Sequence, residues 1–269
     1  MRTLTFCLAV LSSVALSAQG PPPGGFGRGP GPDFGRGFGI MAAGPASRTP
    51  ITGAPYSAVQ TTQFQQALAG GNQISRQEQA KVYRDRDGRV RMEHTFTPPG
   101  STTAQTMIMI FDPVGGFSYL LNPAKLTAVK MPLHSGNPGP IGQGHRGPGN
   151  STPQVQTDNL GTQTVNGVPA TGTRTTETIP AGAIGNAQPI QVVRTTWVST
   201  DLKVPVQITS SDPRFGNATM NLTNITQSEP DAALFQVPST YTVTTREGGF
   251  GRGFDGGPAP MHRHPQQGQ

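Results

Sequence analysis

No stretch of this chain repeats its apolar residues at helical spacing over about twelve residues; turn signals instead cut it into short alternating segments. That punctuation commits the chain to strands joined by hairpins. Asn166-Gly167, between 160–165 and 168–179, is the strongest two-residue hairpin signal, because both positions of a type I′ turn need positive φ. Gly70-Gly71-Asn72 separates 56–68 from 73–84, and Pro113-Val114-Gly115-Gly116 separates 104–112 from 117–121. Asn122-Pro123-Ala124-Lys125 then leads into 126–133, so six strands in meander are expected in the first half. In the second half, 190–199, 204–211 and 218–229 follow one another across Asp201-Leu202-Lys203 and the turn at 212–217, with a loop at 180–188. Pro230 to Phe235 has the proline-then-acid start of one helical turn. The expectation is a mainly β protein, an antiparallel meander of about ten to eleven strands.

Residues 79–96 allow a register to be argued from charge. Arg84, Arg86, Arg89 and Arg91 crowd the turn at Asp87-Gly88. A two-residue loop would set Arg84 against Arg91 and Arg86 against Arg89, gathering all four on one face as an anion site. A three-residue loop, with Asp85-Arg86-Asp87 in a type I turn and Gly88 left-handed, sets Asp85 against Arg89 and Lys81 against Glu93. Opposite charges across strands stabilise by roughly 0.2–1 kcal/mol per pair, whereas like charges repel, so the second register is favoured. It also places Ala80, Val82, Val90 and Met92 on one face, with His94 near Ala80.

Composition sets the boundaries. Glycine (36 residues) and proline (27 residues) concentrate at 20–48, 135–153 and 247–269. Such segments cannot bury enough apolar surface to offset chain entropy. The expected organisation is a signal peptide at 1–18, a disordered Gly/Pro/Arg-rich segment at 19–48, a β domain at 49–245 with a Gly/Pro-rich insert at 135–153, and a disordered tail at 246–269. The signal follows from Met1-Arg2, the apolar run from Leu4 to Leu16, and the small residues Ala15, Ser17 and Ala18. The protein is therefore expected in the periplasm or outside the cell. The single cysteine, Cys7, falls inside that signal, so the mature chain would carry neither disulfides nor thiolate chemistry. The net charge of +6 lies partly in the glycine-rich segments, through residues such as Arg28, Arg36 and Arg252, and does not define a nucleic-acid face. The phrase Phe-Gly-Arg-Gly recurs in both tails, which offers an alternative role: an envelope or matrix interaction protein working through those tails.

The sequence nominates no catalyst. Gly142-Gln143-Gly144-His145-Arg146-Gly147 and Gly251-Arg252-Gly253-Phe254-Asp255-Gly256 fit a dinucleotide pattern, but neither follows a strand nor opens a helix. His262-Arg263-His264 lacks the further ligands that a closed zinc site needs, so no metal and no cofactor are expected. There is no Gly-x-Ser-x-Gly elbow and no Ser-x-x-Lys pair. The acids Asp85, Asp87, Asp112, Asp158, Asp201, Asp212 and Asp231 read as turn formers rather than paired carboxylates. Asn150, Asn217, Asn221 and Asn224 open glycosylation-type sequons in a threonine-rich chain, and Trp197 reads as a core anchor. The chain is expected not to be an enzyme; an unrecognised hydrolase is the remaining catalytic alternative.

Pro55-Tyr56-Ser57-Ala58, Val82-Tyr83-Arg84-Asp85, Asp112-Pro113-Val114-Gly115, Leu160-Gly161-Thr162-Gln163, Thr171-Gly172-Thr173-Arg174 and Ile179 to Asn186 together resemble a family of uncharacterised secreted bacterial proteins. The closing Leu234-Phe235-Gln236-Val237-Pro238, after an acidic-proline turn, is remotely similar to the end of the periplasmic lipoprotein-carrier superfamily. That second resemblance implies a curved sheet or half-barrel around an apolar, lipid-binding face. A lipid or an apolar segment of another envelope protein is then the expected partner. The residues expected to bind it are Met107, Met109, Phe111, Phe117, Tyr119 and Leu121, because they exceed what one sheet face needs.

Overall fold

The computed structural model describes residues 50–97, 101–133 and 154–246. The expected signal peptide, the 19–48 segment, the whole insert at 135–153, the C-terminal tail from 247 onward, both glycine patterns and His134, His145, His262 and His264 lie outside the described residues.

Among the described residues twelve strands form one open, curved sheet. They are β1 (Tyr56–Ala67), β2 (Gln73–Arg84), β3 (Val90–Phe96), β4 (Gln105–Asp112), β5 (Phe117–Asn122) and β6 (Thr127–Pro132) in the first half. The second half supplies β7 (Gln154–Val165), β8 (Val168–Ile179), β9 (Ile190–Ser199), β10 (Pro205–Asp212), β11 (Gly216–Thr226) and β12 (Thr242–Thr245). Their spatial order is β12-β6-β5-β4-β3-β2-β1-β11-β10-β9-β8-β7. Each half is a meander of consecutive hairpins, and the two join back to back through β1 and β11, which pair antiparallel from Ser57↔Thr226 to Gln65↔Asn217. The mainly β class is as expected. The last strand was not foreseen: β12 is four residues of threonine and valine, and it pairs parallel with β6.

The charge argument gives the register of the β2–β3 hairpin. Lys81 pairs with Glu93, Val82 with Met92 and Arg84 with Val90. Gly88 has φ +85°, and its N–H donates to the Asp85 carbonyl at 3.2 Å. Asp85, only 2% exposed, holds the turn from inside: Oδ1 accepts from the Asp87 and Arg89 N–H groups at 3.0 and 2.8 Å, and Oδ2 from Arg89 Nε at 2.6 Å. Asp112, Asp212 and Asp231 make the same kind of side-chain-to-backbone turn. Asp158 does not. It sits inside β7 opposite Arg174, and its Oδ1 accepts from Gln156 Nε2 at 3.0 Å.

The main core joins Tyr56, Ala58, Ala80, Val82, Val90 and Met92 to Val165, Val168, Ala170, Trp197, Leu202, Val204, Val206 and Leu222. Trp197 is thus a core anchor, and it lies flat against Gly172 on the neighbouring strand: a Cβ at Gly172 would stand 2.6 Å from the indole ring.

Replacing Gly88 by alanine should lower stability by about 1–3 kcal/mol, since a side chain is strained at that φ and its Cβ would sit 2.8 Å from Pro50 Cβ. Urea titration followed by tryptophan fluorescence reads the change; an unmoved midpoint would contradict the left-handed turn.

Candidate functional site

Alternation fixes which side chains share a face. Tyr56, Ala58 and Gln60 of β1 pair with Arg84, Val82 and Ala80 of β2. Across β3 and β4 the same face continues through Val90, Met92 and His94 to Phe111, Met109 and Met107. Ser118 and Leu120 of β5, then Met131 and Val129 of β6, extend it. This is the concave face. Arg84 shows it directly, since its Nη2 donates to the Leu202 carbonyl at 2.6 Å and so bridges β2 to the β9–β10 turn, across β1 and β11.

Arg84 is 1% exposed, so its charge must be met inside the protein. Nε and Nη2 both donate to the Ala54 carbonyl, at 2.9 and 2.6 Å, and the guanidinium lies over the Tyr56 ring, 4.9 Å from its centre. Nη1 has no partner among the described residues. Burial holds the Arg84 pKa below its ordinary value, against the pull of the Tyr56 charge. Burial likewise pushes the Tyr56 hydroxyl up to about 12, with Arg84 acting in the opposite direction.

The other three hairpin arginines serve the convex side and the turn. Residues 227–241 leave the middle of the sheet at β11 and run to its far end, where β12 joins β6. Glu229 accepts from the Arg86 N–H at 3.2 Å and from its Nε at 3.4 Å. Arg91 Nη1 donates to the Leu234 carbonyl at 2.8 Å while its Nε donates to Glu93 at 2.8 Å. Arg89 lies 5.8 Å from the centre of the Phe235 ring, in the short 3₁₀ turn Ala232–Phe235. These contacts hold a strap over β3–β6. Beneath it Ile108, Ile110, Leu121 and Ala128 are buried, with Tyr119, Val237 and Tyr241 packed against them. No anion site forms, because the arginines divide between the two faces and the turn.

The six residues expected to bind a ligand together are also divided. Met107, Met109 and Phe111 stand on the concave face, half-buried. Ile108 pairs with Leu121, Ile110 with Tyr119 and Asp112 with Phe117, which puts Phe117, Tyr119 and Leu121 on the convex face. Leu121 is 1% exposed beneath the strap. Phe117 lies under the Lys130 ammonium, 3.6 Å from its ring centre. The concave residues that accompany Met107, Met109 and Phe111 are instead Leu120 and Val129, both half-buried.

Gln60 was not singled out by its sequence, a run of threonines and glutamines. It is 4% exposed, and its Oε1 is buried with no hydrogen-bond partner among the described residues. Its row on the concave face reads Leu222, Gln60, Ala80, His94, Met107. His94 Nε2 lies 3.4 Å from Glu78 Oε2, and its ring stacks on Phe96 with centroids 5.7 Å apart. On the convex face, Gln77, Gln79, Lys81, Glu93, Thr95 and Thr106 line an open groove of about 660 Å³. Its lining is that of a solvated sheet surface. Among the described residues no three His, Cys, Asp or Glu side chains converge as a metal site, and no helix is long and apolar enough to cross a membrane.

No family model and no curated protein matches the chain. Among solved structures it is similar to an uncharacterized conserved protein from Thermus thermophilus, at 14% identity over 72% of this chain and 91% of that one, with a TM-score of 0.39. It is similar to the Pseudomonas aeruginosa MucA/MucB complex, at 13% identity over 71% of this chain and 59% of that one, with a TM-score of 0.37. A LolA superfamily protein from Nitrosomonas europaea aligns at 9% identity over 75% of this chain and 96% of that one, with a TM-score of 0.31.

The Tyr56 hydroxyl gives a pH prediction. The unfolded chain loses this proton near pH 10 and the folded chain near 12, so between those values the unfolded state binds fewer protons and stability falls as pH rises. A loss of about 2–3 kcal/mol by pH 12 is expected from this group. Tyr56→Phe should flatten that part of the stability profile, as measured by denaturant titrations at successive pH values.

Proposed function

We propose that this protein is a non-enzymatic binder of an apolar chain, acting in the periplasm or outside the cell, with β3–β6 of its concave face as the contact surface. One observation carries the reading. Strands β4–β6 are apolar on both faces, and the strap covers only one of them. On the convex side Ile108, Ile110, Leu121 and Ala128 are buried, while on the concave side Met107, Met109, Phe111, Leu120 and Val129 remain half-buried among the described residues. A soluble sheet usually puts polar side chains on a face that it leaves open. A continuous apolar strip on such a face marks a binding surface rather than a fold requirement.

The residue types suit a flexible ligand. Methionine is unbranched and polarisable, so Met107 and Met109 can repack around an acyl chain of variable shape. Phe111 and Met109 also touch the main core, which gives the strip a rigid inner end. Nothing in the strip resembles catalytic machinery, since its side chains are thioethers, hydrocarbon and one phenyl ring. The expected ligand is therefore a lipid acyl chain, with an apolar segment of an envelope protein as its protein-borne equivalent.

Binding is read by titrating the full-length protein with a fluorescent fatty acid and by native mass spectrometry of gently purified material. Wild type should take up the probe, and Met107→Asp should weaken uptake about tenfold or more, because a carboxylate on the strip must be desolvated by the chain. Gln79→Asp, on the opposite face, should leave uptake unchanged. An apo mass together with no uptake by wild type would sink the proposal.

A further inference from the structure

The hairpin connections leave the sheet at two ends, and the ends differ in chemistry. Residues 68–72, 97–104, 123–126, 180–189 and 213–215 lie at the end where β1 stops and β2 begins. Residues 85–89, 113–116, 166–167 and 200–204 lie at the other. The second group carries Asp85, Arg86, Asp87, Arg89, Asp201 and Lys203. The first holds only Lys125 and Arg214, and Arg214 closes on Asp212 at 2.6 Å.

Three connections of the uncharged end instead present one aliphatic side chain each to solvent: Leu68, Leu126 and Ile184. Two of these are fixed in place. In 180–189 the Asn186 side chain is a staple: its Oδ1 accepts from the Ile184 N–H at 3.1 Å, and its Nδ2 donates to the Pro180 and Gln188 carbonyls at 2.9 and 2.7 Å. Ile184 is 57% exposed on this braced loop. The Leu126 carbonyl accepts from the Thr242 N–H at 2.9 Å, and its φ of +49° suits glycine or asparagine and strains a leucine. At 48% exposure that leucine gains little burial in return. The apolar strip of the concave face opens toward the same end, because Met107 is near the start of β4 there and Phe111, at the other end, packs on the main core.

Resting on the apolar-chain role just proposed, we infer that this end of the sheet docks on a lipid bilayer, with Ile184, Leu126 and Leu68 entering the acyl boundary and the open end of the strip set against it. Three points favour a bilayer over a folded protein. The tips stand on separate connections, and a fluid layer closes around single side chains, whereas a protein partner needs roughly 1,200–2,000 Å² of complementary surface. None of the three tips has a carboxylate on its connection, and Lys125, the residue before Leu126, attracts lipid phosphates. Acyl chains partition out of water into bilayers, so a protein that takes one up must reach it there.

The test is co-sedimentation with phosphatidylcholine vesicles, using the chain from residue 19 onward, because the apolar run from Leu4 to Leu16 would bind lipid by itself. Wild type should partition onto the vesicles, and about fivefold more when about a third of the lipid is phosphatidylglycerol. Ile184→Asp should lower the partition coefficient about tenfold. Leu126→Asn should lower it about fivefold while raising the melting temperature, since asparagine accepts the left-handed backbone. Val114 is 69% exposed on the β4–β5 turn at the other end, so Val114→Asp should change nothing. Uptake of the fluorescent fatty acid from solution should be equal in all three variants, while its transfer from vesicles should slow only in Ile184→Asp and Leu126→Asn. A wild type that takes up the fatty acid but stays off vesicles would overturn the inference and leave the binding role intact. So would an equal loss in Val114→Asp, the mark of general adsorption, or vesicle binding unaltered in both rim variants. Self-association lost in Ile184→Asp without vesicle binding would make this end a contact between copies and overturn it too. The expected vesicle pattern without any fatty-acid uptake from solution upholds the docking surface and sinks the binding role alone.

Discussion

A buried guanidinium ties the two halves of this sheet together. Arg84 sits at the end of β2 with almost no exposed surface, and its bonds run to the Ala54 and Leu202 carbonyls. Burying a cation there is costly unless acceptors meet it, and Nε and Nη2 find theirs on segments either side while Nη1 is left without a partner among the described residues. Meeting them draws the β9–β10 turn over the sheet, and the curl lets Leu202, Val204 and Val168 pack in one core with Val82 and Met92. The concave face, and whatever can be held against it, depends on that closure. Tyr56 adds a ring against the guanidinium and, once buried, keeps its own proton well into the alkaline range.

Local rules made much of the fold legible. Turns built on Asn-Gly, Asp-Gly and Pro-containing tetrads fall where the sequence places them, because each depends on a few adjacent residues. The β2–β3 register could be derived from two charge pairs, Lys81 with Glu93 and Asp85 with Arg89. What stayed hidden needs distant partners. Nothing in Thr242–Thr245 distinguishes a strand from a tail until β6 offers its open edge, and a parallel pairing leaves no hairpin signal. The strap is equally silent, since Glu229 and the Leu234 carbonyl find their arginines more than a hundred residues away.

The candidate site shows the same division. Alternation correctly groups Met107 with Met109 and Phe111, and Phe117 with Tyr119 and Leu121. Whether the two groups meet is decided by the turn between them, which pairs Asp112 with Phe117 and so sets the two groups on opposite faces. Gln60 was invisible for another reason. In Val59-Gln60-Thr61-Thr62 a glutamine reads as a solvated position, and only the neighbours brought by β2 and β11 show that it is shut away from water.

The pairing of β1 with β11 carries a consequence for how the molecule comes into being. These strands are central in the sheet, yet more than 150 residues separate Gln60 from its partner Leu222 along the chain. The first meander can form from neighbouring segments as soon as they exist, but β1 then stands as a bare edge, rich in threonine and glutamine, until the second meander arrives. Loop closure of that span is slow compared with hairpin formation. A half-made chain therefore presents a twelve-residue template to any other half-made chain, and the crossing of two copies at β1 and β11 would give an exchanged dimer with every native pairing intact.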